Sequence, residues 1–572
     1  MKKLLVYMKG YKKQCVLAPL FKMLEACFEL FIPLVVAAII DTGIANGDTS
    51  YVVWCCVIMV ALGAIGLSCT LFAQYFSAYC AVGFVSSVKR GLFGHISSLS
   101  YKEIDTLGTS TMITRMTSDV NQVQTGINLT LRLFMRSPVI VFGAMIMAFI
   151  VDVKASLIFV VTIPLLALVV FGIILSTIPL YKKVQSRLDR VMSTSRENLN
   201  GARVIRAFGL EQSERNKFHR QTEELNLAQR FVGRISAIMN PATYAIVNIS
   251  IAILIWQGAL QVDHGDLTQG QVIALYNYMS QILIELIKLA NLIVTITKAV
   301  ASANRIEAVF EVAPSQKSGD IKERLDSEYA VEFKNVCLRY EGSPEYTLEN
   351  ISFAAKPGEK IGIIGGTGSG KSSLVNMIGR FYDAEKGTVL YNGESVEKYD
   401  LEFLREEISI VPQKAVLFHG TVRDNLKWGN KNATDTELLS SIECAQAKDV
   451  LLSKSEGLDF LIEEGGKNLS GGQRQRYTIA RALVKRAPVL ILDDSASALD
   501  YATDAALRKA ISNLDFNPTT FIVSQRTASI MGCDKIIVLD DGKMVGMGTH
   551  DQLLKDCLVY AEIYNSQFKG EE

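Results

Sequence analysis

The sequence lacks an excess of charge of either sign, and it lacks any cysteine pattern typical of a metal or disulfide site. Its 59 Lys and Arg residues balance 58 Asp and Glu residues, so the charge balance does not suggest bulk nucleic-acid binding. The ten cysteines are scattered. No pair has metal-ligand spacing, and no secreted disulfide framework is visible. We therefore expect free buried thiols in a reducing cytosol and no nucleic-acid partner.

Long apolar runs, by contrast, fill the N-terminal half of the chain. A membrane-spanning helix needs about 20 largely apolar residues. Six such helices are predicted, near residues 15–42, 51–85, 128–151, 155–180, 236–261 and 270–297. They define a transmembrane domain over residues 1–312, which a polar linker over 313–330 separates from a second domain over 331–572. In that domain strand-like runs alternate with helical patterns, which is typical of an α/β fold.

The charges of the connecting segments predict the orientation in the membrane. Three short connections, at 42–49, 151–154 and 262–268, carry Asp residues and only Lys154 as a basic side chain, whereas the other connections are rich in Lys and Arg. Positive charge belongs on the cytoplasmic side, so both termini are predicted to face the cytoplasm. The long connections 90–128 and 181–234 contain few Gly or Pro residues. We expect them to be cytoplasmic extensions of the membrane helices, the alternative being flexible loops.

Several charged residues fall inside the predicted spans, where charge is costly and usually faces protein or water. They are Lys22, Glu25, Glu29, Arg132, Arg136, Glu285 and Lys288. One interpretation is a polar wall of a translocation cavity, with Glu29, Arg136 and Glu285 as candidate residues. The alternative is mutual pairing, for which Lys22 and Glu25 have suitable spacing on a helix.

The clearest chemical motif in the second domain is Gly365-Gly366-Thr367-Gly368-Ser369-Gly370-Lys371-Ser372. It fits the P-loop pattern, in which backbone N–H groups cradle phosphates, the lysine reaches the β- and γ-phosphates, and the final hydroxyl binds Mg²⁺. A buried strand is expected before the loop and a helix after it, whose N-terminus favours an anion. A second apolar run ends in Asp493, which places a carboxylate at the edge of the sheet, where it could hold Mg²⁺.

Between these motifs lies Leu469-Ser470-Gly471-Gly472-Gln473. Here the sequence resembles the ATP-binding cassette (ABC) transporter family, whose LSGGQ signature occupies this place. The resemblance covers the whole chain and is to bacterial exporter half-transporters, which fuse a six-helix membrane domain with long cytoplasmic helical extensions to an α/β P-loop nucleotide-binding domain. It implies a multi-pass protein of the bacterial cytoplasmic membrane that acts as an ATPase coupled to transport.

The resemblance also assigns roles to single residues. Tyr340 resembles the aromatic residue that stacks on adenine, and Gln413 resembles the Q-loop glutamine that senses Mg²⁺. Mg²⁺ is expected on Ser372, Gln413 and Asp493. The implied D-loop is Ser497, Ala498, Leu499 and Asp500. The residues implied to bind ATP are Tyr340, Gly365, Gly366, Thr367, Gly368, Ser369, Gly370, Lys371, Ser372, Ser373 and Gln413.

The signature has a physical rationale of its own. Ser470, Gly471 and Gly472 are small residues at the predicted start of a helix, where free N–H groups make an anion site. In the family arrangement the signature lies far from its own P-loop and contacts the ATP of a second subunit. Two cassettes must therefore pair, with two ATP molecules between them.

Two positions depart from the family pattern. The family has Glu directly after the aspartate of the second motif, where it acts as general base, but this chain has Asp494. Gln525 stands where the family has a histidine that contacts the γ-phosphate. Asp is one methylene shorter than Glu, and glutamine cannot carry the charge of an imidazolium.

These departures resemble the subunit of a heterodimeric exporter that carries a degenerate ATP site, so that hydrolysis occurs mainly at the partner's site. The alternative is a homodimer that hydrolyses slowly at both sites. A largely apolar cavity favours hydrophobic or amphipathic small-molecule substrates, as in multidrug exporters. A dedicated lipid or peptide exporter, or a regulatory ATP-binding subunit, remain alternatives.

Overall fold

A computed structural model describes residues 4–568 in two compact units. Within the described residues, one unit comprises the chain up to Ser97 together with Ser110–Val312, and the other comprises Ser98–Thr109 together with the chain from Ala313 onward. The segment Ser98–Thr109, which the sequence-based division assigns to the transmembrane domain, thus belongs to the second unit. The ends of the predicted domains, residues 1–3 and 569–572, lie outside the described residues.

The first unit is helical. The helices before residue 313 are α1 (Lys12–Ala38), α2 (Thr49–Ser98), α3 (Tyr101–Leu107), α4 (Thr109–Thr114), α5 (Val120–Leu133), α6 (Arg136–Val151), α7 (Val153–Asn200), α8 (Ala202–Ala207), α9 (Glu211–Ala237), α10 (Met239–Asp263) and α11 (Gln269–Glu311). Of these, α3 lies in the segment Ser98–Thr109 and so belongs to the second unit. Among the described residues, six helical segments are long and apolar enough to cross a membrane: Leu4–Ile44, Thr49–Ser98, Thr109–Val151, Val153–Asn200, Glu211–Asp263 and Gln269–Glu311. The predicted six-helix membrane domain is confirmed.

These helices run well beyond the apolar spans. Helix α2 has 50 residues, or about 75 Å at 1.5 Å per residue, whereas the hydrocarbon core is about 30 Å thick. Local signals set where the helices begin. The Asp152 side chain accepts a 2.6 Å hydrogen bond from Ala155 N at the start of α7, and Thr268 and Gln271 form a capping box at the start of α11. The expected long helical extensions are therefore present.

The second unit contains an α/β domain. Its strands are β1 (Val331–Leu338), β2 (Leu348–Ala355), β3 (Lys360–Gly365), β4 (Lys386–Tyr391), β5 (Glu394–Ser395), β6 (Ile408–Val411), β7 (Gly420–Thr421), β8 (Leu461–Ile462), β9 (Val489–Asp493), β10 (Thr519–Val523), β11 (Lys535–Asp540) and β12 (Lys543–Gly548). Its helices after residue 313 are α12 (Lys371–Ile378), α13 (Leu401–Glu406), α14 (Val422–Leu426), α15 (Asp435–Cys444), α16 (Lys448–Leu452), α17 (Gly471–Val484), α18 (Tyr501–Ser512), α19 (His550–Asp556) and α20 (Leu558–Phe568).

The strands form mixed sheets around buried cores. One sheet has the order β2-β1-β4-β5 and is antiparallel; a second has the order β12-β11-β3-β10-β9-β6, and β7 pairs with β8. In the six-stranded sheet only β12 is antiparallel to its neighbour. The predicted linker is not extended away from this domain, because Gly319 N donates to Tyr399 O and Asp400 N donates to Ile321 O.

The parallel order determines where the functional loops meet. The strands β3, β10, β9 and β6 are neighbours that run in one direction. Their carboxyl ends therefore lie along one edge of the sheet, which is the ligand-binding edge in α/β folds. The loop segments that leave this edge are the P-loop, the turn at Gln525, the Asp493–Asp494 pair and the segment carrying Gln413.

Candidate nucleotide-binding site

The P-loop connects β3 to α12, and its backbone requires glycine. Gly368 and Gly370 have φ angles of +85° and +92°, in the region that L side chains rarely adopt. A Cβ atom at Gly370 would lie 2.7 Å from Leu348 Cδ2 and 2.8 Å from the carbonyl oxygen of Thr347. Helix α12 begins at Lys371, so the helix expected after the loop is present. The loop thus folds tightly against the helix N-terminus, as phosphate binding requires.

Lys371 lies folded against this loop. Its Nζ donates to the carbonyl oxygens of Gly365 at 3.0 Å and Gly366 at 2.5 Å, and to Ser369 Oγ at 3.2 Å. Burial lowers the pKa of the ammonium group, while the nearby Asp494 and Asp493 oppose that shift. The Lys371 ammonium group is partly desolvated, and the oxygens that accept its hydrogen bonds are neutral. Such a cation is well suited to bind an anionic phosphate.

Asp493 ends β9 and is buried, with 5% of its surface exposed. Its Oδ1 accepts a 2.9 Å hydrogen bond from Ser372 Oγ. Burial raises the pKa of this carboxyl; the hydrogen bond from Ser372 opposes the shift, and the Asp494 charge adds to it. The negative charge of the buried Asp493 carboxylate is not fully offset by its hydrogen bond. Oxygen ligands that converge on such a carboxylate fit Mg²⁺, which would neutralise that charge. Ser372 and Asp493, with Gln413 nearby in the same cavity, are residues that would hold the ion.

Asp494 and Gln525 lie in the same cavity as the P-loop. Asp494 has a φ angle of +44°, and its Oδ2 accepts a 3.3 Å hydrogen bond from Gln413 Nε2. Burial raises the pKa of Asp494, and the bond from Gln413 opposes that shift. The cavity has a volume of about 340 Å³. Its lining residues are Thr347, Thr367, Gly368, Gly370, Lys371, Ser372, Ser373, Gln413, Asp493, Asp494, Val523 and Gln525.

Tyr340 does not line this cavity. Its hydroxyl is 2.9 Å from Ser373 Oγ, and its ring packs edge-on against Tyr382 with the centroids 5.0 Å apart. It lines an adjacent cavity of about 660 Å³ together with Lys102 and Asp105. In this arrangement the hydroxyl of the predicted adenine-stacking residue contacts the P-loop region at Ser373.

The signature residues form the start of α17 and lie apart from the P-loop cavity. Ser470 is the N-cap residue: its Oγ accepts from Gln473 N at 3.3 Å, and the Gln473 side chain accepts from Ser470 N at 3.0 Å. Gly471 and Gly472 form the first turn, Leu469 is buried before it, and a Cβ at Gly472 would lie 3.0 Å from the carbonyl oxygen of Ala498. No residue from Leu469 to Gln473 lines the cavity that holds Lys371.

The predicted D-loop lies between the Asp493–Asp494 pair and the signature helix α17. Ser497 Oγ donates to the carbonyl oxygen of Asp494 at 2.8 Å, and Asp500 is the N-cap of α18, where its side chain accepts from Thr503 N. Leu499 is buried beside this cap. The segment thus contacts the acidic pair at one end and approaches the signature helix through Ala498 at the other.

In the first unit, most of the charged residues within the predicted spans pair with one another; they are Lys22, Glu25, Glu29, Arg136, Glu285 and Lys288. Arg136 is buried; it donates to Glu29 Oε2 at 2.6 Å and to Glu285, whose other oxygen accepts from Ser137 at 2.9 Å. Lys22 pairs with Glu25. Glu29, Arg136 and Glu285 are therefore together on α1, α6 and α11, in the paired arrangement that the sequence left open as an alternative.

Some residues at the site carry no sequence signal. Thr347 and Val523 line the P-loop cavity. Thr347 precedes β2, far along the chain from the P-loop, and no motif marks it. Val523 is the last residue of β10. The sequence pattern predicts the strand, but the strand order is needed to know that Val523 lies at the ligand-binding edge of the sheet.

The fold and the site define a multi-pass membrane protein with an ATP-binding domain. Comparison with known families matches the ABC transporter transmembrane region to residues 15–286 and the ABC transporter domain to residues 348–497. The chain belongs to the ABC transporter family. Its ATP-binding domain implies ATP binding and ATPase activity coupled to transport.

Relatives match along the whole chain. The chain is 35% identical to an uncharacterized ABC transporter ATP-binding protein of Bacillus subtilis, YfiB, over 100% of this chain and 99% of that protein. It is 28% identical to the ATP-dependent lipid A-core flippase of Escherichia coli, over 98% and 96% of the two chains. The structure of a bacterial Atm1-family ABC exporter with ATP bound superposes with a TM-score of 0.80 at 22% identity, covering 98% of this chain and 99% of that chain. The chain therefore has the ABC exporter fold.

Proposed function

We propose that this chain is one subunit of a heterodimeric ABC exporter in the bacterial cytoplasmic membrane, with both termini in the cytoplasm, and that it carries a degenerate ATP site. The observation that supports this most directly is the pairing of Asp494 and Gln525 in one cavity with the P-loop. Both positions that would perform or promote hydrolysis are altered in the same site. The signature Leu469–Gln473, which serves the opposite site, is intact.

At this chain's own site, the residues bind nucleotide without cleaving it efficiently. The P-loop amides and Lys371 hold the phosphates, and Tyr340 moves from its contact with Ser373 to stack on the adenine ring. Mg²⁺, when bound on Ser372, Gln413 and Asp493, supplies charge neutralisation of the β- and γ-phosphate oxygens. Asp494 is a weak general base here because its carboxyl lies one methylene short of the reach of Glu.

At the partner's site, this chain supplies the signature. The N-terminus of α17 presents free N–H groups and the Ser470 hydroxyl to the γ-phosphoryl group, where negative charge is stabilised during transfer. Closure of the two cassettes then moves the membrane domains. The segment around α8 is the candidate for this coupling, because Val204 and Phe208 are largely exposed apolar residues, and exposed apolar residues suit docking on a partner's cassette.

The expected substrates are hydrophobic or amphipathic small molecules. Apolar side chains cover most of the spans, and the buried charges are paired with one another around Arg136, so the membrane domain offers little unpaired charge to a polar cargo. A lipid substrate is the second candidate, favoured by the 28% identity to the lipid A-core flippase. A dedicated peptide exporter has no specific support.

The substrate classes are distinguished by stimulation of ATP turnover. With the exporter in lipid nanodiscs, hydrophobic cationic dyes are expected to raise the turnover about two- to tenfold at micromolar concentration, by favouring the closed state. Stimulation by an amphiphilic lipid with no response to dyes would instead support the lipid exporter. If neither stimulates while ATP binding is intact, the regulatory subunit becomes the better hypothesis.

The asymmetric site is tested by Asp494→Asn in the exporter purified through a tag on this chain. We expect ATP turnover within about twofold of wild type, because the altered carboxylate contributes little general-base catalysis. A homodimer that hydrolyses at both sites would instead lose about 10²-fold or more, the usual contribution of a general base.

Two measurements complete this test. Mass spectrometry of the purified complex should show a second chain of similar size. Restoring the family residues with Asp494→Glu and Gln525→His should create a second hydrolysing site, seen as cleavage of nucleotide photolabelled on this chain. A single chain species whose turnover Asp494→Asn abolishes would contradict the heterodimer.

A further inference from the structure

The end of helix α20 holds the turn that contains Gln525. The Gln567 side chain makes three hydrogen bonds there: its Nε2 donates to the carbonyl oxygen of Gln525 at 2.7 Å, and its Oε1 accepts from Thr527 N and from Thr527 Oγ1, both at 2.9 Å. Thr527 is fully buried. One side chain thus spans the turn on both sides of Arg526.

The same turn holds the D-loop. Arg526 Nη1 donates to the carbonyl oxygen of Leu499 at 3.1 Å, and Nη2 donates to that of Ser497 at 3.5 Å. Its guanidinium also lies over the Tyr501 ring, 4.8 Å from the centroid. The direction of this side chain depends on the backbone of the turn, which Gln567 holds on both sides.

Helix α20, which carries Gln567, is anchored to the core of the domain. Tyr560 is fully buried in it, and the Tyr560 hydroxyl is 2.7 Å from His550 Nδ1 of α19. Tyr560 also packs with Ile364 and Ile530 in one apolar cluster, so the helix is anchored to the end of β3 and to the segment after the turn. Tyr560 thereby holds the backbone of α20 beside the P-loop strand.

We propose that Gln567 is a positioning residue that holds the turn at Gln525 and, through Arg526, the D-loop at Ser497–Leu499. This inference rests on the proposed function, in which Gln525 lies in this chain's own ATP site and the partner's site carries out most of the hydrolysis. Gln567 itself does not line the P-loop cavity, so its effect is on geometry and not on nucleotide contact.

The contact is tested first on the full-length chain in nanodiscs by amide hydrogen exchange, which needs neither a partner nor transport. Gln567→Ala is expected to lower the protection of the Thr527 amide by about tenfold or more, because its acceptor is lost. Gln567→Glu keeps that acceptor and should keep the protection. Unchanged protection in Gln567→Ala would overturn the proposal, whatever the protein transports.

The link to the site is tested by ATP turnover of the exporter purified through this chain. Gln567→Ala is expected to lower kcat about fivefold to tenfold with KM for ATP changed by less than about twofold, since geometry and not binding is lost. Gln567→Glu, which retains the Thr527 bonds and lacks the donor to Gln525, should lie in between. Ser566→Ala is the control. Within the part of the chain that the structure describes, Ser566 Oγ donates to Ile563 O of its own helix, so its loss should leave kcat unchanged.

A loss of Thr527 protection without any change in kcat would overturn the link to the D-loop. An equal loss of kcat in Gln567→Ala and Ser566→Ala would assign the effect to the helix rather than to the Gln567 side chain. That result would also overturn the proposed link to the D-loop. If Gln567→Ala fails to fold, Gln567→Glu is compared with wild type instead, since it replaces the donor to Gln525 O by a carboxylate oxygen that faces this carbonyl; an unchanged kcat in that variant would overturn the link.

Discussion

Replacing Ser470 by alanine is expected to lower the ATP turnover of the assembled exporter by about 10²- to 10³-fold, the usual cost of one donor to transition-state charge. In the structure Ser470 is the N-cap of α17, and Gly471 and Gly472 follow it without side chains. This leaves the helix N-terminus open to a phosphate from outside the chain. Because Ser470 does not line the P-loop cavity, this chain's own nucleotide binding should be unchanged.

A matched control separates catalysis from helix capping. Ser470→Ala also removes a capping box, which costs about 1 kcal/mol. Thr434 forms the same kind of box with Glu437 at the start of α15, away from the site. Thr434→Ala should lose comparable stability and keep normal turnover. Equal turnover of the Ser470→Ala and wild-type exporters, at matched stability, would contradict the proposed role of the signature.

Gly370→Ala is expected to weaken nucleotide binding by this chain by about 100-fold or more. The new Cβ would lie 2.7 Å from Leu348 Cδ2 and 2.8 Å from the carbonyl oxygen of Thr347, and the φ angle of +92° is itself unfavourable for alanine. The loop must therefore move, and the backbone N–H groups lose the convergent geometry that holds phosphates.

This prediction is measured by photolabelling with an azido-ATP analogue, which reports binding on each chain of the complex separately. Gly532→Ala is the control: Gly532 lies in the same domain, a Cβ added there would meet open space, and its φ angle is not positive, so labelling should be normal. Wild-type labelling of a folded Gly370→Ala chain would show that the P-loop is not this chain's phosphate site.

Part of the site followed from local sequence. A P-loop is a short segment whose glycines and lysine act together, so Gly365–Ser372 and the strand before it were recognisable from the pattern. The same holds for Ser470, whose place before two glycines predicted a helix start that α17 has. Each feature depends on neighbours within a few residues, and the chain order of the motifs indicated one domain.

Other features could not be read from spacing. Tyr340 matches the family position, yet its hydroxyl contacts Ser373 and its ring packs on Tyr382, because the aromatic residues near the end of β1 pack together. The partners of Arg136 come from α1 and α11, which are far apart in sequence. Gln567 has no motif around it, and its role appears only where α20 meets the turn after β10.

The amino-acid sequence by itself determined the six membrane helices, the α/β domain and the P-loop chemistry. These depend on apolar length, which the bilayer thickness sets, and on local backbone freedom, which glycine provides. Only the tertiary structure decided which distant side chains meet: Asp494 and Gln525 at one sheet edge, the Arg136 ion pairs, and Gln567 on the turn at Gln525. The reason is that strand order and helix packing arise from the whole core, and no short segment encodes them.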